Sequence, residues 1–417
     1  MRGYWVFVAA SAIALATAAS ADKVSLAPRP VAFADASFLA GGWFPSVYFQ
    51  KDGFMPGTAV DFLTVNAEQE PAPRAKLGLG EVLYGEAWTD DGSIRMTLTR
   101  RRPDAAGFGA LRVDMNGDGE LRHSEAVPAK ADGVYGPLSL ELGDRRVECL
   151  LVLETTASMT DYVFGVLTPL EVPEGQVEVN GAKRRVVLLD CDFDGDFRGT
   201  REMPADYPIA MPESMVYIDL NGDGAPETGL ADGASPEVVA AGSSLRLPGG
   251  EWVRLDVDED GTEVDLVGPL ETGSIAFEGK ALTVELSTSD GGSVQAGGKT
   301  SPLEVPVGSY RIGSVMTTFD EDGAEWALTC GRDYPAPGGK LAVRSGETTT
   351  LDIPRGVTVA VTTSVEGEDY RVSLAVSSPS GLRVTGIMRD GEQPKAPSFT
   401  LTDESGKVVA SGDFEYG

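Results

Sequence analysis

The sequence predicts an all-β protein, built as several β-sandwich modules in tandem. Three observations lead there. Apolar residues recur with period two in runs such as 93–99, 138–142 and 282–286, the alternation of a strand with one buried face. Glycine and proline are abundant, at 51 and 26 residues, and with Asp and Asn they bound these runs. No long stretch carries the three-to-four-residue apolar period of an amphipathic helix.

Taken in order, residues 1–21 have the form of a secretory signal peptide. Arg2 supplies the positive end, 4–18 the apolar stretch, and Ala19-Ser20-Ala21 a small-residue cleavage site before Asp22. The mature chain is therefore expected to be periplasmic or secreted. No later run reaches the roughly 20 apolar residues of a spanning helix, so no transmembrane segment is expected in it. Residues 22–110 form an N-terminal β region with a linker-like segment at 66–73. Within it, residues 82–88 and 93–99 read as a hairpin. The connecting Thr89-Asp90-Asp91-Gly92 provides the positive φ of a tight turn and is read as structural. Arg100, Arg101 and Arg102 read as a solvated strand end.

Residues 111–272 carry a loose repeat of apolar strand and acidic glycine loop, with loops beginning at Asp114, Asp190 and Asp219. Their uneven spacing argues for duplicated β modules and against a solenoid or propeller. Residues 273–417 form a C-terminal β-sandwich region, with a strand-turn-strand expected at 303–312 and strands at 351–353, 357–361, 372–376, 399–401 and 408–409. The run ending Phe414-Glu415-Tyr416-Gly417 is strand-like, which suggests that the natural protein continues.

Charge narrows the partners. Lys and Arg number 34 against 64 Asp and Glu, a formal net charge of −30 that repels nucleic acid and anionic membranes. At 42% hydrophobic residues, the acidity decorates folded domains and does not signal disorder. Cys149, Cys191 and Cys330 lack C-x-x-C spacing and are expected to be buried thiols.

The acidic loops carry the chemistry. A hard cation takes six to eight oxygens at about 2.3–2.6 Å, and alternate side chains of a loop can deliver them around a glycine that permits the sharp turn. Asp114, Asn116, Asp118 and Gly119, with Glu125 at the twelfth place, resemble the calcium loop of the EF-hand family over its whole length. The resemblance implies ligation by Asp114, Asn116, Asp118, the backbone of Glu120, and Glu125. The loop with Asp190, Asp192, Asp194 and Asp196 has Arg201 at its twelfth place, so its last ligand is absent or comes from elsewhere. The loop with Asp219, Asn221 and Asp223 has Leu230 there and offers Glu227 as a replacement. Both resemble the shorter D-x-D-x-D-G loops of bacterial secreted proteins. The residues ahead of all three are aliphatic or β-branched, so the loops are expected on strands and not on EF-hand helices. Acidic turns at Asp256-Asp260 and Asp320-Asp322 read as Asp-Gly hairpins first and as ion sites second.

Near the C-terminal end, Leu303 to Ile312 places a proline-glycine turn ahead of Tyr310. It resembles carboxypeptidase-regulatory-like and prealbumin-like sandwich domains. The resemblance implies immunoglobulin-like or prealbumin-like modules.

His123 is the single histidine and lies inside the first loop, which removes H-E-x-x-H zinc chemistry and disfavours a Ser-His-Asp triad. No G-x-S-x-G elbow, P-loop or dinucleotide fingerprint occurs, and no catalytic residue stands out. The sequence thus predicts an exported calcium-binding β protein with a structural, adhesive or ligand-binding role, its partner an extracellular protein or a glycan. An extracytoplasmic carbohydrate-active or peptidase-associated enzyme is the alternative class.

Overall fold

The computed structural model describes residues 23–30, 46–49, 82–89, 92–100, 108–118, 120–131, 133–143, 145–154, 163–191, 193–198, 214–224, 236–289, 292–331, 340–351, 358–366, 369–377, 383–402 and 405–414. The expected signal peptide, the linker at 66–73, the turn residues Asp90 and Asp91, and the site candidates Asp192 and Glu227 lie outside them. The described residues are almost entirely β, with one short 3-10 turn at His123–Glu125. No described helix is long and apolar enough to cross a membrane.

Two short strands come first, β1 (Val24–Ser25) and β2 (Ala27–Pro30). Eight then follow: β3 (Ser46–Phe49), β4 (Val82–Thr89), β5 (Gly92–Arg100), β6 (Phe108–Val113), β7 (Ala126–Ala131), β8 (Val134–Leu142), β9 (Arg145–Glu154) and β10 (Val163–Pro169). They run as an antiparallel meander that closes where β10 pairs with both β9 and β3. The expected hairpin is β4 with β5, registered from Val82 opposite Thr99 to Thr89 opposite Gly92.

For this part of the chain the sheet closes into a barrel, where the sequence suggested sandwiches. Alternation of Leu83, Ala87, Ile94, Met96 and Leu98 specifies an inner face but is silent on whether the edges meet. Eight strands enclose a space that side chains can fill, and these residues fill it. Glu86, Arg95, Arg112, Glu141 and Glu148 occupy the opposite face. That face is the reverse of the apolar band of a lipid-facing barrel. The barrel draws strands from both sides of residue 110.

The chain continues into β11 (Glu171–Val179), β12 (Ala182–Asp190), β13 (Ser214–Ile218) and β14 (Val238–Ala240), which with β2 form a five-stranded sheet ordered β14-β13-β12-β11-β2. Both faces of this sheet are covered where β12 pairs with β13. Val187, Leu189, Met215 and Tyr217 join the barrel core, while Val186, Leu188, Val216 and Ile218 join a second core. The opposite wall of that second core includes Leu245, Val253, Leu255, Val264 and Leu266. A strand buried on both faces reads as a continuous apolar run, which is why 186–189 and 215–218 lack alternation.

That opposite wall belongs to β15 (Ser244–Arg246), β16 (Trp252–Val257) and β17 (Glu263–Val267), to which β1 adds an edge. The remaining strands are β18 (Thr272–Ala276), β19 (Ala281–Ser287), β20 (Ser293–Gly298), β21 (Leu303–Pro306), β22 (Gly308–Glu321), β23 (Ala324–Gly331), β24 (Lys340–Val343), β25 (Thr348–Thr350), β26 (Thr358–Glu366), β27 (Asp369–Ser377), β28 (Arg383–Arg389), β29 (Ser398–Thr402) and β30 (Val408–Asp413). Most belong to one sheet of 12 strands; β21-β18-β25 form a small separate sheet. A third core unites Ile275, Leu303 and Val305 from that small sheet with Leu282, Val284 and Val315 from the large one. Tyr310, singled out in the sequence, is buried there, and its hydroxyl donates to Pro306 O at 2.9 Å. Burial pushes its phenol up to about 12. Its ring passes so close to Gly308 that a Cβ at 308 would lie 2.6 Å from Cζ, which accounts for the glycine in the Pro-Val-Gly turn.

Candidate metal centre

The first acidic loop leaves the barrel at the end of β6. Asp114 N–H still donates to Arg95 O at 2.9 Å, extending the β5–β6 pairing, and its side chain is buried. The loop then closes on its own carboxylates. Asp118 N–H donates to Asp114 Oδ1 at 3.1 Å and Glu120 N–H to Asp118 Oδ1 at 2.9 Å. The twelfth residue, Glu125, is also buried and accepts Arg122 N–H at 2.7 Å. Asn116, Asp118 and Glu120 are exposed. Arg122 forms an ion pair with Asp118 and another, at 3.2 Å, with Glu120. The Glu120 N–H, the Asn116 side chain and the Arg122 charge, in that order, hold the Asp118 carboxyl below its ordinary 3.8.

The second loop begins at the last residue of β12. Asp190 accepts Phe193 N–H at 2.7 Å on one oxygen and Gly195 N–H at 2.9 Å on the other. Asp194 accepts Asp196 N–H at 2.7 Å, and Asp196 accepts Arg198 N–H at 2.8 Å. Gly195 has φ 75°, the left-handed turn that the glycine at the sixth position was expected to supply. Phe197, directly after Asp196, is buried. Cys191 is buried as expected, and so are Cys149 and Cys330. Burial pushes the Cys149 thiol well up, out of the reactive range.

The third loop lies at the other end of the same sheet. Because β12 and β13 are antiparallel, with Val186 opposite Ile218 and Asp190 opposite Ser214, the chain enters Asp219 at the edge opposite Asp190. Asp219 N–H donates to Arg185 O at 3.0 Å, so the ladder carries one residue past β13. The turn is then built on acceptors: Gly222 N–H donates to Asp219 Oδ1 at 2.8 Å and Asp223 N–H to Asn221 Oδ1 at 2.8 Å.

A fourth group arrives from outside the loop. Strand β14 runs beside β13 with Tyr217 opposite Val238, which sets Glu237 next to Ile218; Ile218 N–H donates to Glu237 O at 2.8 Å. The Glu237 side chain is buried at 2% exposure and accepts Asn221 N–H at 2.9 Å. Carboxylate oxygens of Asp219, Asp223 and Glu237 all lie within 4.8 Å of one another, and among the described residues this is the group of three that converges so closely. Oxygens sharing one calcium ion at 2.3–2.6 Å are separated by at most about 5 Å, so the spacing suits a single hard cation. Burial of Tyr217 raises its phenol, and the charges of Asp219 and Glu237 raise it further.

Sequence reasoning placed Asp219, Asn221 and Asp223 in this loop and did not find Glu237. Its one signal is an acidic residue directly ahead of the apolar run Val238-Val239-Ala240, well beyond the twelve-residue window of a calcium loop. The two secondary candidates behave as turns. Asp258 accepts Thr262 Oγ1–H at 2.6 Å and Glu263 N–H at 2.7 Å, and Asp256 pairs with Arg254 at 2.7 Å. Asp320 pairs with Lys280 at 2.6 Å.

Comparison of the chain with protein-family models, with curated proteins and with solved structures finds no match.

Proposed function

We propose that this chain is an exported, calcium-binding β protein in which an ion held by Asp219, Asp223 and Glu237 ties the end of the central sheet to its edge strand, in a structural, adhesive or ligand-binding role. The observation that carries the reading is the convergence of these three carboxylates, two of them buried. Buried carboxylates at this spacing repel one another, and a divalent cation converts the repulsion into attraction. The loop at Asp114 belongs to the same reading through its resemblance to the calcium loop of the EF-hand family. Export follows from the leader-like residues 1–21, and the extracellular milieu supplies calcium at concentrations such loops require. The third core, shared between two sheets, supports a β-sandwich module in the C-terminal region.

Isothermal titration of calcium into the chelator-stripped full chain tests this. Saturable binding is expected, with a dissociation constant between about 10 μM and 1 mM. Asp219→Asn should weaken it at least about tenfold, as expected when one charged ligand is lost. Absence of saturable binding, or an unchanged isotherm in Asp219→Asn, contradicts the proposal.

A further inference from the structure

The Asp190 loop sits where three parts of the molecule meet. On one side, Phe193 is buried in the core shared with the barrel. On the other, Phe197 is buried in the second core, against the hairpin of β16 and β17. Phe197 N–H donates to Glu259 O at 3.0 Å in that hairpin, and Arg198 Nε–H to Val257 O at 2.8 Å. Gly261 has no side chain where the Phe197 ring lies; a Cβ there would be 2.5 Å from two ring carbons. The barrel contributes a cation. Arg145, the first residue of β9, brings Nη2 to 3.9 Å from Asp190 Oδ2. Its Nη1 lies 1.4 Å from where a Cβ at position 195 would be, too close for any side chain there.

We infer that Arg145 is the resident cation of the Asp190 loop, and that the loop is a metal-independent staple joining the barrel, the central sheet and the β16–β17 hairpin. Three features support this. Both oxygens of Asp190 are engaged by backbone N–H groups, which fix the carboxylate where the guanidinium meets it. Glycine at 195 provides the positive φ and also the space for the guanidinium, so one residue type serves both needs. The charge and the two aromatic anchors come from separate segments, so the ion pair can form only when barrel and sheet are docked. This inference stands apart from the calcium reading, which concerns the opposite end of the sheet.

The test is thermal unfolding of the full chain, in excess chelator and in excess calcium, for Arg145→Gln, Asp190→Asn, their double variant and Arg145→Lys. Arg145→Gln should lower Tm by about 3 °C and Asp190→Asn by more, because an amide nitrogen cannot accept the second backbone N–H, each equally in chelator and in calcium. The double variant should melt no lower than Asp190→Asn, because the ion pair is already lost once the carboxylate charge is gone. Arg145→Lys, which keeps the charge, should retain more of the wild-type Tm than Arg145→Gln. Additive losses, a lysine variant as damaged as the glutamine one, or a calcium-dependent shift that Asp190→Asn abolishes and Arg145→Gln preserves would each overturn the inference. A wild type that ignores calcium altogether overturns the calcium proposal and leaves this one standing.

Discussion

Replacing Glu237 by glutamine should change stability in opposite directions with and without calcium. Glu237 and Asp219 are 2% and 9% exposed, and their carboxylate oxygens lie within 4.8 Å. At an effective dielectric of about 20, two unit charges at that distance repel by about 3.5 kcal/mol. Asp223 is exposed and its repulsion is screened, so it is left out of the sum. Glutamine keeps an oxygen for the Asn221 N–H and removes the charge. In chelator, Glu237→Gln should therefore melt several degrees above the wild type, up to about 10 °C if the full repulsion is relieved in a cooperative unit of some 150–250 residues. Calcium reverses the order. At a thousandfold excess over the dissociation constant the wild type gains about 4.1 kcal/mol, more than the repulsion costs it, and the variant, short of a charged ligand, gains little. Differential scanning calorimetry in the two buffers reads both effects. If Glu237→Gln melts below the wild type in chelator and shifts with calcium as the wild type does, the carboxylates neither repel nor share an ion, and the reasoning fails.

Two further outcomes follow from contacts elsewhere. Gly261→Ala places a Cβ against the buried Phe197 ring at a residue with φ 64°, so the strain of a left-handed residue adds to a steric clash. It should cost about 2–3 kcal/mol and lower the urea midpoint with an unchanged m value, and an unaltered midpoint would mean that Phe197 does not pack there. At Asp258, burial raises the carboxyl, but the hydrogen bonds from Thr262 and Glu263 outweigh it and hold the group below its ordinary 3.8. A depressed folded value gives stability that is present above the unfolded value and lost as pH falls through the folded one. Asp258→Asn should therefore melt below the wild type at neutral pH, and the gap should close below about pH 4; a gap constant across that range would refute the assignment.

The legibility of this chain varied with the range of the interaction. Alternation at 93–99 and 282–286 was enough to place β5 and β19, because which face of a strand is apolar is set within a few residues. The acidic loops were equally local. Gly195 takes the left-handed turn that its place among alternate carboxylates suggested, while Asp190, read from its spacing as an ion ligand, caps that turn with backbone N–H groups on both oxygens. Glu237 was different, since it reaches Asp219 only through the pairing of β14 with β13.

By itself, then, the amino-acid sequence determined the β class, the positions of many strands and the acidic, glycine-centred turns, all of which depend on neighbours along the chain. Tertiary structure alone decided that eight strands close into a barrel, that 186–189 and 215–218 are buried on both faces, that Glu237 completes the cluster at Asp219, and that Arg145 enters the loop at Asp190. The physical reason is that strand order and sheet closure depend on pairings between distant segments. A period-two pattern states which side of a strand avoids water and leaves open what lies against that side.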